Sequence, residues 1–155
     1  MTEPVFIAAQ NKIRGDDAVA ALLVADDGRY LMQLRDDLPQ IFYPGHWGCF
    51  GGAVEPGEPP EHALRRELRE ELEFTVEGAT ELARFDFDLS RLSQKKVYRI
   101  YYEVPISADA FSRIVLHEGA AYKMFSGAEI LQQKQVTPYD AFALWLHYRR
   151  ERFQP

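Results

Sequence analysis

The stretch that most constrains this chain is the turn Gly51-Gly52-Ala53-Val54-Glu55-Pro56-Gly57-Glu58, followed by Pro59-Pro60 and, a little further on, by Arg66-Glu67-Leu68-Arg69-Glu70-Glu71. Proline suits the first turn of a helix, where its fixed φ is already helical and its missing N–H is not needed. The spacing predicts a helix running to about Leu72. At ~100° per residue, Glu67, Glu70 and Glu71 fall on one side, and Ala63, Leu64, Leu68 and Leu72 form an apolar stripe on another. Like charges at this spacing repel by roughly a few tenths of a kcal/mol per pair, a penalty that a divalent cation removes. Carboxylate oxygens are hard ligands suited to Mg²⁺ or Mn²⁺, which are commonly shared with substrate phosphates. A solvated acidic helix face is the plainer alternative. It accounts for the helix but not for the glycine turn in front of it.

Gly52, Glu58 six residues on, Arg66-Glu67-Leu68-Arg69-Glu70-Glu71 eight residues after that, and the apolar Phe74 together resemble the signature of the Nudix hydrolases. Those enzymes hydrolyse nucleoside diphosphates linked to a variable moiety. The resemblance covers Gly52 to Phe74 and departs at Glu73, where the pattern has glycine. It implies an α/β fold, an α/β/α sandwich around a mixed, partly antiparallel sheet. It also implies Mg²⁺ or Mn²⁺ held by Glu67, Glu70, Glu71 and the Gly52 carbonyl, with Gly51 beside the substrate. Arg66 would pair with a glutamate and fix its rotamer, and Glu58 would orient the loop or make a water-mediated metal contact. The general base would be Glu67 or Glu118, and homodimers are common among such proteins. A glycine after a helix normally adopts the left-handed conformation that closes it, which a residue with a Cβ enters at a cost of about 1 kcal/mol or more. Either Glu73 accepts that strain or the helix ends differently.

The rest of the chain reads as one domain over 1–155, with 1–16 as a loosely paired lead-in. A net charge of −6 argues against a protein that grips a nucleic acid polymer, because that task needs basic patches. The lone Cys49 has no partner for a disulfide or a zinc site, and as a residue of an apolar strand it is expected to pack rather than react. Met1–Gln10 is too short and polar for a secretory signal, and no apolar run is long enough for a membrane span, so the cytoplasm is the expected location. Residues 18–24 and 30–35 read as a hairpin around Asp26-Asp27-Gly28-Arg29. Arg35, at its end, is a candidate phosphate contact. The loop 36–47 is rich in aromatics, and Tyr43 is its candidate for a base or sugar contact. Strands are expected at 74–76, 80–89 and 96–104, with a turn at 91–95. A short capped helix at 126–131 and a docking helix over 139–153 complete the reading.

Two function classes follow. One is a hydrolase that cleaves the diphosphate linkage of a small nucleoside diphosphate derivative such as a nucleotide sugar or a nucleoside triphosphate. The other is a module that senses a nucleotide and does no chemistry.

Overall fold

The computed structural model describes residues 17–88 and 96–153. The lead-in at 1–16 and the turn at 91–95 lie outside the described residues. In chain order the elements are β1 (Asp17–Ala25), β2 (Tyr30–Leu34), β3 (Trp47–Gly48), α1 (Pro60–Leu72), β4 (Thr80–Asp88), β5 (Lys96–Ile106), α2 (Ala108–Ser112), β6 (Ala121–Phe125), α3 (Gly127–Gln132) and α4 (Pro138–Tyr148), followed by a 3-10 turn at Arg150–Phe153. They build a mixed six-stranded sheet of order β3-β2-β1-β5-β4, with β6 on β2. Among the pairs of named strands in the described residues, β1–β5 alone is parallel; β2 pairs antiparallel with β1, β3 and β6, and β4 with β5.

The unbroken apolar run of β1 reflects burial on both faces of the sheet. Val19, Ala21 and Leu23 point to one core, where α1 docks Ala63, Leu64, Leu68 and Leu72, all fully buried. Ala20 and Leu22 point to the other, which α3 and α4 close with Ile130, Ala143 and Leu144. The result is helix, sheet and helix in three layers.

The β1–β2 hairpin is paired only near its tip, at Leu23↔Leu31 and Val24↔Tyr30. Beyond that the strands part, and the chain from Trp47 to Ala53 fills the gap. It pairs with β2 at 47–48 and bridges β1 at Ala21↔Phe50 and Ala18↔Ala53. This fork carries Gly51 and Gly52 through the sheet and over α1. A Cβ on Gly51, whose φ is 135°, would run into the Val19 carbonyl, so the close approach requires glycine there.

Two sequence expectations need correcting, at 74–76 and at the C-terminal helix. Residues 74–76 are not a strand, because the Phe74 N–H is spent on the end of α1, donating to Leu68 O at 3.2 Å. Phe74 and Val76 are nevertheless buried. The segment between β5 and α3 contains a helix, α2, capped by Ser107 accepting from Ala110 N–H, and a strand, β6. The C-terminal helix ends at Tyr148 rather than running to Phe153.

Candidate functional site

α1 presents its three glutamates at graded depth rather than on one evenly exposed face. The Glu71 residue is 3% exposed, while the side chains of Glu67 and Glu70 are 14% and 60% exposed. Glu71 accepts the Gly51 N–H at 3.0 Å. Burial pushes its carboxyl up to about 8; that single N–H opposes the shift, while the charges of Glu118 and Glu67 add to it. Glu67 is also raised, chiefly by burial, against the pull of Arg66 and with further push from Glu70 and Glu118. Glu118 sits in the loop before β6. The fold therefore brings a carboxylate from a distant segment into electrostatic reach of two on α1.

Arg66 ties this face together. Its Nε and Nη2 donate to the two Glu58 oxygens at 3.0 Å each, Nη1 donates to Glu67 at 2.7 Å and Glu70 at 3.3 Å, and Nη2 also donates to Ala53 O at 2.9 Å. Glu58 in turn accepts the Glu55 N–H at 3.1 Å, and the Arg66 guanidinium holds its carboxyl below the usual range. A bidentate guanidinium–carboxylate pair fixes two side chains in one geometry. Here it clamps the glycine turn to the helix.

No group of three or more metal-ligating side chains already converges among the described residues. The donor set nonetheless suits a hard divalent cation. Glu71 is buried and Glu67 half-buried, the charge of Glu67 adds to the cost of ionising Glu71, and a positive charge would relieve both. A Cβ on Gly52 would meet the Glu67 carboxylate, at 2.7 Å from Oε1, so the glycine leaves that carboxylate lying directly against its backbone. The Gly52 carbonyl already accepts the Val19 N–H at 2.9 Å, which leaves it one lone pair for a further contact.

Arg35 follows β2. Its Nε donates to Phe42 O at 2.8 Å, and its N–H donates to His46 O at 2.9 Å, so it holds the aromatic loop in place. Its charge reaches both Glu71 and Tyr139, placing it between the acidic face and the loop. Tyr43 adopts a left-handed backbone with φ 52° and packs edge-on against Phe42, His46 and Tyr139. Phe42 stacks on Tyr139, and the Arg99 guanidinium lies over the Tyr139 ring at 4.6 Å. Sequence reasoning passed over Arg99 and Tyr139. They come from β5 and α4, and no local pattern links them to the loop.

Glu73 accepts the strain. Its φ and ψ are 54° and 25°, and its N–H donates to Arg69 O at 3.0 Å. With the Phe74 bond this makes the closure that glycine usually provides. The Glu73 side chain accepts from His117 Nε2 at 2.6 Å. His117, and Gln33, which donates to Glu118 O at 2.9 Å, are further residues that the sequence did not single out.

The family model of the NUDIX domain matches residues 15–146. The nucleoside triphosphatase NudI of Escherichia coli is 53% identical over 51 residues, which are 32% of this chain and 35% of that protein. The chain thus spans about a third of the length of the curated relatives it matches. Among solved structures, the MutT protein of Methanosarcina mazei Go1 superposes with a TM-score of 0.74 at 25% identity, covering 89% of this chain and 95% of that one. A MutT NUDIX hydrolase of Burkholderia pseudomallei gives 0.70 at 26% identity, covering 86% and 98%.

Proposed function

The chain belongs to the NUDIX domain family, and from that premise we propose that it hydrolyses the diphosphate linkage of a small nucleoside diphosphate derivative with the help of Mg²⁺ or Mn²⁺. The observation that carries this reading is the trio of Glu67, Glu71 and Glu118. Burial raises the Glu71 and Glu67 carboxyls, the Glu118 charge adds to both shifts, and Glu71 has one backbone N–H to offset its burial. A structural site would avoid that arrangement, whereas a site that takes up a cation and a polyphosphate benefits from it.

Glu67, Glu70 and Glu71 would hold the cation, with the Gly52 carbonyl as a fourth donor. When bound, the cation supplies neutralisation of the charge that develops on the phosphate oxygens and a more acidic water. The chain's own residues do the rest. Glu118 or Glu67 takes the proton of the water as its oxygen attacks phosphorus, and the bond from phosphorus to the bridging oxygen breaks to release the second phosphate-bearing group. Arg66 and Glu58 keep the glycine turn and the Glu67 rotamer fixed while this happens. Arg35 faces the phosphates from the sheet, and the Tyr43 loop offers aromatic surface to a base or sugar.

Nucleoside triphosphates head the substrate order, because NudI is a nucleoside triphosphatase. Nucleotide sugars and related diphosphates follow. The test is a screen of these compounds with Mg²⁺ and Mn²⁺, with ¹⁸O-labelled water to identify the phosphorus attacked. Metal-dependent release of phosphate or pyrophosphate is the expected outcome. Nucleotide binding by calorimetry with no turnover of any compound would replace the hydrolase with a sensing module.

A further inference from the structure

Between α2 and β6 the segment carrying Glu118 has no helix or strand of its own, and it is fastened on two sides. The Val115 N–H donates to Leu72 O at 3.2 Å and the His117 N–H to Glu71 O at 2.8 Å, using carbonyls that the end of α1 leaves without intrahelical partners. On the other side the Ala120 N–H donates to Leu34 O at 2.8 Å, and Gln33 Nε2 donates to Glu118 O. Gly119, with φ 92°, lets the chain pass close over Gln33 and Leu34.

One side-chain contact joins the first of these fastenings, the bond from His117 Nε2–H to Glu73 Oε1 at 2.6 Å. Both side chains are half exposed. An exposed pair of this kind adds little to stability, while a left-handed backbone is costly for a residue with a Cβ. Stability alone therefore favours glycine at position 73. What a side chain there adds is a tie between the last turn of α1 and the neighbour of Glu118. We propose that Glu73 and His117 are positioning residues that hold the 115–120 segment so that Glu118 stays within reach of Glu67 and Glu71. This rests on the catalytic role given to Glu118 above.

Glu73→Gly separates the two effects, because it removes the tie and relieves the backbone at once. Its melting temperature should equal or exceed that of the unmodified protein. Amide exchange at Val115 and His117 should quicken by about tenfold while the β1 and β5 amides keep their protection. In turnover, kcat should fall by about fivefold to tenfold with KM within about twofold. Glu73→Gln keeps an oxygen to accept from His117 and should restore both readouts, and His117→Ala should reproduce the loss. In a Glu118→Gln background, Glu73→Gly should reduce kcat no further. Unchanged exchange at 115–117 in Glu73→Gly overturns the proposal, as does a kcat loss of the same size in the Glu118→Gln background. If the unmodified protein turns over no nucleotide, the hydrolase reading fails by itself, and the exchange measurement still decides whether the tie holds the segment.

Discussion

Glu71 and Asp140 are buried to nearly the same depth, 3% and 4% exposed, and their surroundings are opposite. Asp140, in the first turn of α4, accepts from the Cys49 N–H at 2.9 Å, the Thr137 hydroxyl at 2.6 Å and the Tyr101 hydroxyl at 2.8 Å. It joins the chain before the glycine turn, β5 and α4 at one point. Glu71 accepts one N–H and faces two other carboxylates. A buried carboxylate surrounded by donors stabilises a fold, and one surrounded by acids stores a charge imbalance that a ligand can relieve. On the proposed function the difference gives architecture to one and chemistry to the other, and each role can be broken separately.

The largest expected effect is on turnover. Glu71→Gln should lower kcat by roughly a thousandfold, equivalent to about 4 kcal/mol, while the melting temperature of the metal-free protein holds or rises because an amide stays neutral in that buried place without taking up a proton. Activity retained in both Glu71→Gln and Glu70→Gln would remove the acidic face from the mechanism. Next in size is stability. Asp140→Ala leaves three donors unpaired in a buried place and should cost about 3–5 kcal/mol, or roughly 10 °C in melting temperature for a domain of this size. Activity per folded molecule should change little. Thermal melts combined with turnover normalised to folded protein check both halves, and a reversal of the two patterns would undo the comparison.

The contrast was only partly legible in the sequence. The 3.6-residue period of α1 places its leucines on the buried face, because helix geometry alone decides that. The Ser126 cap and Glu129 three residues later form the reciprocal capping box of a helix start. The ranking of the three glutamates was not legible. It arises because the 47–53 segment runs beside β1 and bonds the Gly51 N–H to Glu71, a long-range pairing that no local pattern announces. Asp140 reads from sequence as an ordinary first-turn acid, and its three donors come from positions 49, 101 and 137. The strand β6, Ala121–Phe125, does alternate Tyr122 and Met124 with Lys123, but five residues beside a glycine are too short a pattern to announce a strand. Residues 74–76 looked like a strand from their side chains. The left-handed Glu73 before them turns the backbone out of any ladder.

The smallest expected effect is a pH dependence that only the unbalanced carboxylate should produce. Glu71 titrates near 8 in the fold against an ordinary value of 4.5. A group raised on folding contributes stability that is fully present below the unfolded value and is lost as pH rises through the folded one. The stability owed to the protonated form of Glu71 should therefore drain away between about pH 4.5 and 8 in chelator-treated protein. Glu71→Gln should flatten that part of the profile, because an amide has no proton to lose. On the proposed function Mg²⁺ would bind the ionised form, so its stabilising increment should grow as pH rises through the same window. Melting temperatures measured with chelator and with Mg²⁺ at pH 6 and pH 8.5 give the four values needed. An Mg²⁺ increment equal at both pH values, and unchanged in Glu71→Gln, would mean that the cation is held by other groups and that Glu71 resembles Asp140 more closely than its neighbours suggest.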